Sequence, residues 1–384
     1  MSLKLLNFGG KQLLQPAFIP SGTYTVEQEG TYNITNYEFI KVLIGKNELK
    51  QVACSENTTW VLKKDGTLWG CGFGYYGAQG SGNTSDVKAF TQRLDNVKQV
   101  ACSENATWVV KNDGTLWGCG SNSYGQQGFE DINNGVKIFT QRLTNVKQVA
   151  CSGSTTWAVK NDDTLWGCGR NNYCQQGGGS FDITAFTQRL TNVKQVVCSD
   201  YTTWAVKNDD TLWGCGRNNN GQQGSGDTTD VTTFTQRLTN VKQVVCSGNT
   251  SWALKTDGTL WGCGFNVNGQ QGSGSTSSVT TFTQRLTNVK QVVNSDATIW
   301  VLKDDGTLWG CGWNNYGQQG SGSTSDVKTF TQRLSNVKDF ACSFYTTWAI
   351  KNDNTLWGCG YNVYGQQGSG DTTNVTTFTQ RTLS

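Results

Sequence analysis

The chain has 384 residues, room for one large repeat domain or two ordinary ones, with aromatics at 11% able to fill a core. Its net charge of +3, with no basic block behind it, gives no warrant for a nucleic-acid or anionic-membrane partner. Zero histidines remove the commonest general base and exclude Ser-His and Cys-His nucleophile pairs.

The opening, MSLKLLNFGGKQLLQPAF, lacks an adequate apolar h-region for a signal peptide. Nowhere do apolar residues run for the roughly 18 positions of a membrane helix. The expectation is a protein of the cytoplasm, or one assembled into a phage or surface particle. Gly22–Val26, Tyr32–Ile34 and Glu38–Ile44 predict short strands around PSG and EQEG turns, so residues 1–48 are expected to form a small β cap or attachment segment. Their SGTYTV…YEFIKVLIG pattern resembles small modules of phage structural proteins.

From Leu49 onward the sequence repeats. Cys54, Cys102, Cys151, Cys198, Cys246, Asn294 and Cys342 mark seven units at intervals of 48, 49, 47, 48, 48 and 48 residues. One unit shows the plan: Val241–Cys246 and Thr250–Lys255 predict two strands, Asp257-Gly258 turns the chain, and Thr259–Cys263 returns it. FTQRL, opened by Phe90, Phe139, Phe186, Phe234, Phe282, Phe330 and Phe378, marks the fourth strand. No helical periodicity lasts ten residues. Four short strands per unit predict an all-β, seven-bladed propeller over residues 49–384. The last unit stops just after its FTQR strand, which suggests a ring closed by pairing of Thr377–Thr382 beside the first unit.

These units resemble the regulator of chromosome condensation superfamily of seven-bladed propellers. The family's repeat runs from a cysteine-glycine pair through an aspartate-glycine turn to a tryptophan-glycine-x-asparagine run and glycine-glutamine-leucine-glycine. Cys246-Ser247, Asp257-Gly258, Cys263-Gly264-Phe265-Asn266 and Gly269–Gly272 occupy those places here. The chain departs where the family has histidine (Thr250 and its equivalents) and tryptophan (Cys263 and its equivalents), with Trp261 two residues earlier. The resemblance implies a propeller fold. Known activities within the superfamily include nucleotide exchange on a small GTPase and inhibition of a bacterial enzyme. Its ultraviolet-sensing branch places a tryptophan at the positions held here by Glu56, Glu104, Gly153, Asp200, Gly248, Asp296 and Phe344, none of which is one.

Candidate chemistry is sparse. The cysteines lack CxxC spacing, and Asn294 breaks their series, so they are expected to pack as free buried thiols, with intra-blade disulfides the alternative and no metal. The series of Trp60, Trp108, Trp157, Trp204, Trp252, Trp300 and Trp348 predicts packing between blades. GQQG has no Lys-Ser/Thr after it and predicts a turn, not a phosphate loop. The Arg237 series predicts solvated or salt-bridged strand residues.

Variation between units is the functional clue. Phe73, Arg170, Arg217, Phe265, Trp313 and Tyr361 share one tip position, and Tyr76, Tyr124, Tyr173, Tyr316 and Tyr364 share another. Tyr75 adjoins them, and Tyr201, Phe344 and Tyr345 vary in the turn before the second strand. Tips of a rigid scaffold carry function, and Tyr, Trp and Arg anchor protein interfaces. These tips are expected either to pack on one another or to form a binding face. The leading expectation is a non-enzymatic scaffold that binds a protein, without a cofactor. The alternative is a phage, virion or surface structural component, with carbohydrate as a second ligand class.

Overall fold

The computed structural model describes residues 5–8, 11–14, 22–26, 30–34, 49–55, 58–132, 135–295 and 297–381. Seven four-stranded antiparallel sheets follow one another from Leu49 to Arg381, each built from strands consecutive in sequence. In the fifth they are Val241–Ser247, Thr250–Lys255, Leu260–Gly264 and Val279–Leu286, from inner to outer. The chain is therefore a seven-bladed propeller. Its one helical segment among the described residues is Tyr75–Gly77.

Ahead of the blades lie two hairpins, Leu5–Phe8 with Lys11–Leu14 and Gly22–Val26 with Gly30–Ile34. The second hairpin agrees with the strands expected there. The first had its signal in Gly9-Gly10, a hairpin dipeptide overlooked beside the search for a leader. The expected strand Glu38–Ile44 lies outside the described residues.

The proposed exchange of the last strand is corrected. Val375–Arg381 pairs with Leu356–Gly360 of its own unit, through Trp357↔Gln380 and Gly358↔Thr379. Each unit already supplies four strands, so no blade needs one from another. Between blades, the loops of four units bridge to the next outer strand, at Ser81↔Ile138, Ser225↔Thr281, Ser273↔Thr329 and Ser321↔Thr377. In the seventh blade, a Cβ placed on the equivalent Gly370 would meet no atom within 4 Å.

The hairpin turns follow from their side chains. Asp257 Oδ1 accepts the Thr259 backbone N–H at 2.9 Å and its hydroxyl at 2.7 Å, and Thr259 Oγ1 accepts the Trp261 indole N–H. Lys255 caps the Trp261 ring, 4.5 Å from its centroid. The hydrogen bonds from Thr259 hold the Asp257 carboxyl below its ordinary value of 3.8, and the same holds at Asp65, Asp113, Asp162, Asp209, Asp305 and Asp353 with their own threonines. A depressed carboxyl stabilises the fold above its unfolded pKa and loses that contribution as pH falls through its folded value. The melting temperature is thus expected to fall as pH is lowered below about 4, which a calorimetric pH series checks.

The core lies between blades. Trp252 is fully buried and meets Phe330 of the next blade edge-on, with centroids 5.8 Å apart at 79°. Trp60–Phe139, Trp108–Phe186, Trp157–Phe234, Trp204–Phe282 and Trp300–Phe378 repeat that contact, as the sequence reading expects. Gly262 is glycine because a Cβ there would lie 2.5 Å from the Trp252 ring. Near the axis, Gln99 uses its side-chain amide as a strand link, donating to Val149 O at 3.0 Å and accepting from Val149 N at 3.1 Å.

Cys119, Cys151, Cys168, Cys174, Cys198, Cys215, Cys246, Cys263, Cys311, Cys342 and Cys359 are free thiols. Cys263 is buried and its Sγ–H donates to Gln222 O of the preceding blade at 3.4 Å; Cys119, Cys168, Cys215, Cys311 and Cys359 make the equivalent contact. Burial pushes these thiols well above their ordinary range, which keeps them protonated and unreactive. The Arg237 series differs from expectation. These arginines are partly buried, and desolvation lowers their pKa. The ion pairs among the described residues are instead Lys147–Asp163 and Lys194–Asp210.

Candidate docking face

The first and third strands of a blade run parallel to each other, so both end at the same edge of the propeller. Their following turns therefore gather on one face. The backbone of each tip is fastened the same way. Tip residues donate their N–H to the turn of their own blade: Phe265 to Asn249 O, Arg170 to Ser154 O, Arg217 to Tyr201 O, Trp313 to Ala297 O and Tyr361 to Tyr345 O, each at 2.9 Å.

GQQG supplies the rest of the fastening. Gln270 Oε1 accepts Asn268 N, Gln271 Nε2 donates to Cys263 O at 2.8 Å, and buried Asn266 Oδ1 accepts Gln271 N at 2.8 Å. The same clasp holds Tyr124, Tyr173, Tyr316 and Tyr364 through Gln126, Gln175, Gln318 and Gln366. In blade 1, Ala78 replaces the first glutamine, and Tyr76 takes a positive φ of 58°. This motif is turn machinery, as expected.

One tip is strained. Cys174 sits at φ 59° where Gly125, Gly221, Gly269 and Gly317 have φ of 76–79°. A Cβ at Gly221 would lie 2.6 Å from Thr280 Cα. Replacing Cys174 with glycine is expected to raise unfolding free energy by about 1 kcal/mol, read from a urea titration.

On this common frame the variable side chains sort into three groups. Trp313, Tyr316, Phe344, Tyr345, Tyr361 and Tyr364 form one continuous cluster across blades 6 and 7. Trp313–Phe344 and Tyr316–Tyr361 centroids are 4.8 Å apart, Tyr316–Tyr345 5.4 Å and Tyr361–Tyr364 6.1 Å. Desolvation and the neighbouring phenols of Tyr364 and Tyr316 push the Tyr361 hydroxyl up, so it stays neutral near pH 7.

The second group runs over blades 2–4. Arg170 lies over Tyr124 at 5.1 Å, and Arg217 lies over Tyr173 at 4.8 Å and Tyr201 at 5.1 Å. The third is Phe73, Tyr75 and Tyr76 on blade 1. Phe265 makes no ring contact with a described residue and stands apart from all three. The tips thus pack on one another and still reach solvent: Tyr364 is 66% exposed, Tyr345 44%, Tyr124 38% and Tyr76 37%.

Sequence reading missed other exposed apolar groups. Val267 and Val363 sit between the two tip positions, while Phe181 and Ile132 lie in the loops between the third and fourth strands of blades 3 and 2. Their signal was present: GGSFDI and FEDINN replace the SG-S/D-T pattern of other units. Asp182 Oδ1 accepts Asn171 N at 2.9 Å, which ties the Phe181 loop to the Arg170 tip.

A cavity of about 300 Å³ along the inner strands is lined by Ala53, Ala101, Ala150, Val196, Val197 and the thiols of Cys102, Cys151 and Cys198. Among the described residues, no three His, Cys, Asp or Glu side chains could hold a metal ion. No described helix is long and apolar enough to cross a membrane.

Four-stranded blades with inward-packed Trp and Phe, GQQG-clasped tips and variable aromatic ends define a seven-bladed propeller scaffold. Residues 97–126, 193–222, 241–270 and 337–366 match the regulator of chromosome condensation (RCC1) repeat. No curated protein matches the sequence. Among solved structures it is similar to human WBSCR16, at 21% identity and a TM-score of 0.67 over 85% of this chain and 92% of that one. It is similar also to a structure of Kap60 bound to yeast RCC1 (Prp20), at 16% identity and a TM-score of 0.63 over 81% and 82%. A third is Prp20p of Saccharomyces cerevisiae, described with its binding to Gsp1p and histones, at 18% identity and a TM-score of 0.61 over 74% and 76%. At these identities the likeness carries the fold.

Proposed function

We propose that this propeller is a non-catalytic scaffold that docks a partner protein on its tip face, anchored by the aromatic cluster of blades 6 and 7. The observation that carries this reading is the contrast at the tips. The same hydrogen bonds fasten the tip backbone in blades 2–7, whereas the side chains they present differ, and those of blades 6 and 7 collect into six touching aromatic rings. Rigid aromatic groups lose little conformational freedom on binding, and truncating such anchors removes most of an interface's energy. The similar yeast protein was crystallised with a protein partner, which agrees with a docking role for the fold. The arginines over Tyr124 and Tyr173 and the blade 1 rings extend the face around the propeller. The test is to select binders to the full chain by protein or peptide display, then measure them against a variant truncated at Trp313, Tyr345 and Tyr361. Unchanged binding would sink the proposal.

A further inference from the structure

The propeller contains its own example of a guest on its tips. In blades 3 and 4 the first tip residue is an arginine, and its guanidinium rests on the second tip residue of the preceding blade, Arg170 on Tyr124 and Arg217 on Tyr173, with Tyr201 of its own blade also under Arg217. The Tyr316–Tyr361 pair, 4.8 Å apart, occupies the same two positions three junctions further round. Here the ring-on-ring contact carries no charge of its own.

Residues 265–268, 313–316 and 361–364, the tips of blades 5–7, carry no lysine or arginine. Carboxylates border them. Asp326 accepts Asn314 N through Oδ1 and Asn268 Nδ2 through Oδ2, both at 3.0 Å, and Asp371 Oδ1 accepts Thr373 N at 3.0 Å. Tyr364 is 66% exposed and Tyr345 44%, so both rings present area to an incoming group. A cation over an aromatic ring gains from the ring's quadrupole, and more when the contact is shielded from water, as among six rings.

We infer that the aromatic cluster of blades 6 and 7 takes an arginine side chain from the partner protein, seated on the exposed rings of Tyr364 and Tyr345, the first of which holds the tip position at which Tyr124 carries Arg170. Arginine fits better than lysine because its planar guanidinium stacks on a ring face, the geometry that the chain's own tips already use. The carboxylate of Asp326, bonded to Asn314 N in the blade 6 tip, adds a negative charge to that face. This inference rests on the docking reading above and specifies the chemistry of its partner.

The experiment pans a random peptide library on the full chain at physiological salt. Selected peptides are then titrated against the wild type and a Tyr345→Leu/Tyr364→Leu variant, which keeps apolar bulk but removes the ring quadrupoles. Thermal unfolding of both proteins shows that the variant folds. The expected result is enrichment of arginine, with Arg→Gln in the peptide weakening wild-type binding about tenfold. In the leucine variant the Arg and Gln peptides should bind within about twofold of each other, since no ring remains to distinguish them. Peptides without arginine, or an equal Arg→Gln loss in both proteins, overturn the inference and leave docking intact. Failure to select any peptide that depends on the tips overturns the docking reading, and this inference with it.

Discussion

Replacing Trp252 with alanine is expected to lower the unfolding free energy by about 3–5 kcal/mol, the range for deleting a large aromatic from a packed core. The indole is fully buried, and it packs with Leu254, Leu260, Val289, Val292, Ile299 and Val301. It also loses its edge contact with Phe330, so the cavity would open between blades and loosen two of them at once. Trp252→Phe separates volume from polarity. The Trp252 Nε1–H has no hydrogen-bond partner, so phenylalanine removes an unsatisfied buried donor along with some volume. Trp204 offers the opposite case, because its Nε1–H donates to Ser251 Oγ at 2.9 Å. Trp204→Phe should therefore cost more than Trp252→Phe, by about 1 kcal/mol. Urea unfolding followed by circular dichroism measures all three; a loss below about 1 kcal/mol for Trp252→Ala would contradict the role given to this ring.

Truncating Trp313, Tyr345 and Tyr361 together to alanine is expected to weaken a tip-bound partner by about a hundredfold or more, since central aromatic anchors each contribute about 2 kcal/mol or above. The same change should move stability far less than Trp252→Ala. The three side chains are only partly buried, and the hydrogen bonds that hold their loops come from backbone groups and from Gln318 and Gln366. Calorimetric titration of one selected partner, paired with the melting temperature of each protein, separates the two effects. Binding lost in parallel with stability would mean that the rings are scaffold.

The repeat made most of the fold legible. Regular spacing located the blades, and Asp-Gly, Asp-Asp or Asp-Asn dipeptides located the hairpin turns, because each supplies a positive φ at its second residue. The Trp252 series was recognisable as interblade packing from its periodicity alone, although its partner Phe330 lies one unit away and could not be paired from sequence. The closing strand was misassigned for a related reason. A missing FTQR copy before Leu49 looked like an offset between units, but offset and non-offset blades share one sequence pattern and differ only in which third strand the fourth one meets.

The candidate site was legible residue by residue but not in its grouping. Variation picked out Arg217 and Tyr173, yet their stacking depends on neighbouring blades bringing the first tip of one beside the second tip of the other. Phe265 belonged to the same variable position and remains apart, since Asn220 and Asn268 offer it no ring. The Arg237 series shows a further limit. A charge at regular spacing predicts exposure, whereas these arginines, on the outer strands themselves, are partly buried.

Hydrogen–deuterium exchange of the full chain, with and without a display-selected partner, locates the docking face directly. Protection is expected in the segments that carry the aromatic cluster, residues 343–346 and 361–366, and little change at the Asp-Gly turns such as 256–259 on the opposite edge. Protection confined to those turns or to the outer strands, with 343–346 and 361–366 unchanged, would contradict docking through the tips.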